Sequence, residues 1–73
     1  MSEQTRNKVL RALEAAIRRS EDTANMLRAA YNHVLNHGDY ELAAIRIKAA
    51  NATLSSALNI LMQTLDEIKA GGQ

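Results

Sequence analysis

The chain contains no cysteine, no proline, no tryptophan and no phenylalanine, and its aromatic content is two tyrosines. Without cysteine there is no disulfide staple and no thiolate metal centre, which fits a reducing, cytoplasmic setting. Without proline, and with glycine only at Gly38, Gly71 and Gly72, neither long periodic segment carries an internal breaker. The scarcity of aromatics removes the stacking platforms on which single-stranded nucleic acid is held. An excess of either charge is missing too. Nine basic and eight acidic residues give a formal charge of +1, which is no footprint of nucleic acid or membrane. The longest apolar run is four residues, far short of the roughly 20 that span a bilayer. Met1 to Arg6 lack the apolar stretch of a cleavable signal, so the chain reads as soluble and unprocessed.

What is present is helical periodicity on a small scale. Seventy-three residues make one small domain, and chains of this size bury only about 60% of their unfolded surface. Alanine is the commonest residue. Helix 1 is expected from about Glu3 to about Asn36, with Ser2 as N-cap. Its stripe Leu10, Leu13, Ile17, Ser20, Ala24, Leu27, Tyr31, Val34 advances by threes and fours, a heptad seam widened by Val9, Ala16 and Leu35. Ser20-Glu21-Asp22-Thr23 are weak helix formers, so a kink is open there. The i,i+4 pairs Glu14–Arg18 and Arg18–Asp22 oppose it. Gly38 can take positive φ and end helix 1. Asp39 can cap helix 2, expected from Tyr40 to about Ala70, and Glu41 suits the positive end of its dipole. Gly71-Gly72-Gln73 reads as a frayed tail.

The short turn predicts an all-α, antiparallel two-helix hairpin, a single domain over residues 1–73. Its core is expected from Leu10, Leu13, Ile17 and Leu27 of helix 1 with Leu54, Leu58, Leu61 and Leu65 of helix 2. Helix 2 carries these on a broad stripe that also holds Ala43, Ile47, Ala50, Ala57 and Ile68. A second stripe of Leu42, Ile45, Ala49, Ala52 and Ile60 lies roughly 150° away. Apolar residues on both sides of a helix call for a third body, another copy or a different protein, and this second stripe is the expected partner-binding surface.

Candidate chemistry is sparse. His33 and His37 have the i,i+4 spacing of paired metal ligands, and Asp39 could add a third. Yet no HExxH motif accompanies them, and a polar helix end accounts for both, so no metal or other cofactor is expected. Arg11, Arg18, Arg19 and Arg28 make helix 1 mildly basic among Glu14, Glu21 and Asp22, which reads as a solvated face. Ser55-Ser56 has no histidine nearby in sequence, and there is no glycine-rich phosphate loop. Met26 and Met62 read as fillers of a core or an interface. The chain reads as a non-enzymatic binding protein.

The run Ala52-Thr53-Leu54-Ser55-Ser56-Ala57-Leu58-Asn59-Ile60-Leu61-Met62-Gln63, beyond a glycine turn, resembles the small YscE-type chaperones of bacterial type III secretion systems. Their second helix is patterned Leu-x-x-Ala/Gly-Leu/Ile-x-Ile-Leu/Ile, which here falls on Leu54, Ala57, Leu58, Ile60 and Leu61. The resemblance covers about residues 24–69. It implies a cytoplasmic co-chaperone that pairs with a larger helical-repeat chaperone to keep the needle subunit soluble before export. The residues taken alone leave a second reading open. In it the chain self-assembles into a helical bundle that binds RNA through Arg11, Arg18 and Arg19, or acts as a phage-type inhibitor or ligand sponge.

Overall fold

A computed structural model, which describes residues 2–71, shows two helices and nothing else of regular structure among them: α1 (Glu3–His37) and α2 (Tyr40–Gly71). The all-α hairpin is therefore as expected. Gly72 and Gln73 of the expected tail lie outside the described residues, and Gly71 is the last residue of α2.

Local chemistry sets the helix ends. Ser2 Oγ accepts from the Thr5 N–H at 3.1 Å, filling one of the donors that a helix start leaves free. At the other end Gly38 adopts φ 58°, ψ 28°, and its N–H donates to the Val34 carbonyl at 3.0 Å. This is the left-handed cap that glycine enters without penalty. Asp39 Oδ1 then accepts from the Leu42 N–H at 3.0 Å and starts α2.

Helix α1 runs unbroken through the weak segment. Ser20 Oγ donates to the Ala16 carbonyl and Thr23 Oγ1 to the Arg19 carbonyl, each at 2.8 Å. These back-bonds satisfy the hydroxyls inside the helix rather than against it. Arg18 reaches Glu14 at 3.9 Å and makes no ion pair with Asp22.

The core differs from the expected one. The buried side chains are Ala16, Thr23 and Ala30 on α1, and Ala43, Ala50, Ala57 and Thr64 on α2. Each set recurs at intervals of seven residues. The buried alanines retain 3–6% exposure, whereas Leu10, Leu13, Ile17, Leu27, Leu54, Leu58, Leu61 and Leu65 range from 38% to 56%. The assignment of those eight residues to the hairpin core is thus corrected. Two helices meet along one seam, and a seam of methyl-sized side chains lets the axes approach. Alanine and threonine therefore take the seam, and the leucines are displaced to its side.

Polar groups are built into this narrow seam. Thr23 Oγ1 and Thr53 Oγ1 lie 2.6 Å apart across it, and Thr53 Oγ1 also reaches the Ala50 carbonyl at 3.0 Å. Thr64 Oγ1 donates to the Ile60 carbonyl at 2.7 Å. Among the described residues no buried side-chain polar atom lacks a partner, so the threonines cost the seam little.

The resulting body measures 53 × 14 × 11 Å, with a radius of gyration of 16.4 Å. A compact chain of this length would have about 11 Å. Its accessible surface, 5620 Å², exceeds the roughly 4,450 Å² of a compact monomer of this mass. A single layer two helices wide has no interior to enclose large side chains.

Two substitutions test this account. Ala50→Leu should force the axes apart and destabilise by about 1–3 kcal/mol, the usual cost of overpacking, read as a fall in the thermal midpoint. Gly38→Val should cost about 1–2 kcal/mol from backbone strain alone, because no atom lies within 4 Å of the added Cβ. A wild-type midpoint for Ala50→Leu would refute the close-packed seam.

Candidate protein-interaction face

The displaced large residues have a common address. On α1, Leu27 and Val34 lie four residues after the buried Thr23 and Ala30, and Ile17 and Tyr31 lie one residue after Ala16 and Ala30. On α2, Ile47, Leu54, Leu61 and Ile68 lie four residues after Ala43, Ala50, Ala57 and Thr64, while Leu58 and Leu65 lie one residue after Ala57 and Thr64. Equal offsets on two antiparallel helices put both sets on the same side of the seam. The surface recesses agree. Leu13 and Ile17 share one with Leu61, and Leu27 and Val34 share another with Ile47, floored by Ala30 and Ala43. One broad side of the hairpin is therefore apolar along most of its length, and every large residue on it is exposed.

The opposite side is polar and internally tied. Lys8 Nζ donates to Glu67 Oε1 at 3.2 Å, and Arg19 Nε donates to Ser56 Oγ at 2.7 Å. The recess there is lined by Lys8, Ala12, Ala15, Gln63, Asp66 and Glu67, with Val9, Ile60 and Thr64. Scattered apolar residues are normal on a surface, but a contiguous face opposite a polar one is the mark of an interface.

The stripe expected to bind a partner fares differently. Leu42, Ile45 and Ala52 are exposed, while Ala49 and Ile60 are half-buried, Ile60 against the seam in the polar-side recess. These five residues do not form one exposed stripe, and the apolar area they offer is small beside that of the broad face. Sequence reasoning found the residues of the broad face but placed most of them in the hairpin core. The signal that separates the two roles is the seven-residue recurrence of small side chains.

The candidate polar residues are dispersed. Among the described residues no group of three or more His, Cys, Asp or Glu side chains gathers, so His33, His37 and Asp39 do not converge. Ser56 is occupied by Arg19. Of the three arginines weighed for RNA, Arg18 turns to Glu14 and Arg19 to α2. Among the same residues no helix is long and apolar enough to cross a membrane. What this surface offers chemically is burial.

Comparison with known proteins finds no family model, no curated protein and no solved structure that matches the chain.

Proposed function

We propose that this chain is a non-enzymatic protein-binding module whose broad apolar face covers helices of another protein. One observation carries the reading: the hairpin closes on alanine and threonine and leaves its leucines and isoleucines outside. Fully burying one such side chain is worth about 1.5–3 kcal/mol. A face holding nine of them, with Tyr31 and Val34 beside them and each roughly half-exposed, has far more to gain from a partner than the seam gains from its methyl groups. A helical surface suits it, because ridges at spacings of three and four residues mesh with like ridges.

The YscE-type resemblance gives the proposal a specific form. The chain would be a cytoplasmic co-chaperone that joins a larger helical-repeat chaperone and keeps a type III secretion needle subunit from polymerising. Of the five residues that carry the resemblance, Leu54, Leu58 and Leu61 lie on the apolar face, while Ala57 is buried in the seam and Ile60 lies in the polar-side recess.

The test is co-expression with a needle subunit and its larger chaperone, followed by affinity measurement on purified components. Leu58→Asp should weaken the complex by at least about 30-fold, since it sets a charge in a desolvated site. Ile45→Asp, on the outer edge of α2, should change affinity by less than about threefold. The reverse ranking would return the docking surface to the Leu42–Ile45 edge. Failure of the wild-type chain to join such a complex would remove the secretion reading.

A further inference from the structure

We propose that, when no other protein covers it, the apolar face is closed by a second copy of this chain, in a two-fold dimer with the two turns at opposite ends. This names what occupies the face in the partner-free state, and it rests on the reading above only in using the same surface.

The intrachain register provides the constraint. Lys8 meets Glu67, Arg19 meets Ser56 and Thr23 meets Thr53, so facing residues have numbers that sum to 75 or 76. Face-to-face docking about an axis perpendicular to the long dimension sets α1 against α1 and α2 against α2 of the second copy. One axis serves both helix pairs. The sums for facing residues on the two pairs must then average the intrachain value.

The rim of the face lies five residues beyond the buried positions. Continued along the seven-residue register, it carries Glu14, Glu21, Arg28 and Leu35 on α1, and Glu41, Lys48, Ser55, Met62 and Lys69 on α2. These are flanking positions, where charges select partner and register in coiled helices. Pairing Glu14 with Arg28 of the second copy, and Glu41 with Lys69 of the second copy, satisfies the constraint with a mean of 76. Each pair occurs twice by symmetry. It also overlaps the two hairpins along nearly their whole length.

The competing arrangements are poorer. Sliding one heptad one way sets Glu14 against Glu21 and Lys48 against Lys69, all like charges. Sliding the other way keeps only Glu21 opposite Arg28 and loses overlap. Placing both turns at the same end fixes the register outright and sets Arg28 against Lys48. Charge complementarity therefore selects one register out of four. Its one unfavourable rim contact is Glu21 against Glu21 on the axis, where Ser55 also meets Ser55.

Size permits the dimer. The two longest dimensions, 53 and 14 Å, give a footprint of roughly 740 Å², close to the 800 Å² per partner of standard stable interfaces. A second layer would also provide the interior that one hairpin lacks.

The absence of cysteine makes the geometry directly testable on the full chain. Sedimentation equilibrium should show a dimer. Ser55→Cys, at an exposed position, should oxidise rapidly to a covalent dimer. Glu41→Cys should not, because its two copies sit about 40 Å apart at 1.5 Å per residue. Glu41→Cys with Lys69→Cys in one chain should cross-link again. Lys69→Glu should weaken association about tenfold, and adding Glu41→Lys should restore it. A monomer at micromolar concentration, or Glu41→Cys oxidising as fast as Ser55→Cys, would overturn the proposal. A monomer that still joins needle proteins would overturn this dimer and leave the partner reading standing. A dimer that needle proteins never open would support the dimer and end the partner reading.

Discussion

Two helices joined by a two-residue turn can share only one line of contact, and the side chains along it set how near the axes come. Here that line is made of methyl groups and threonine hydroxyls spaced seven residues apart on each helix. Close approach multiplies weak dispersion contacts between backbones, yet it leaves no room for a leucine. The rest of the molecule depends on this exclusion. The large side chains exist in number, they cannot enter the seam, and the heptad spacing aligns them on one side of it.

The hairpin is thus an elongated two-helix layer rather than a small globule. Its polar side is finished, with Lys8–Glu67 and Arg19–Ser56 bridging the helices. Its other side is a core surface without a counterpart. On the proposed reading, folding and association would be coupled, because the burial that would stabilise the chain would lie between molecules. That suits a chaperone component, whose apolar face must be covered by a client or companion. It equally suits a chain that closes on its own copy, and the two states would compete for one surface.

Much of the fold was legible along the chain. Ser2 and Asp39 announce helix starts by their side chains and Gly38 a helix end by its freedom at positive φ. The periodicity on either side of the turn points to a hairpin, while the continuity of α1 through Ser20–Thr23 was left to the structure. The candidate site was half legible. Leu10, Leu13, Ile17 and Leu27 stood out as one stripe and Leu54, Leu58, Leu61 and Leu65 as another. The habit of placing the largest apolar residues at the nearest contact paired the two stripes with each other. Thr23 and Thr64 were invisible as core residues, since a lone threonine on a helix reads as surface. Their roles depend on bonds to the Arg19 and Ile60 carbonyls and on Thr53 across the seam.

The sequence by itself determined two helices, their ends, the turn and the quantity of apolar surface, because these follow from local propensity, capping and periodicity. Only the tertiary structure decided which of two interleaved heptad sets would close the hairpin. Both sets satisfy helical spacing equally well. The choice falls to interaxial distance, a property of two helices together that no single stretch of chain encodes.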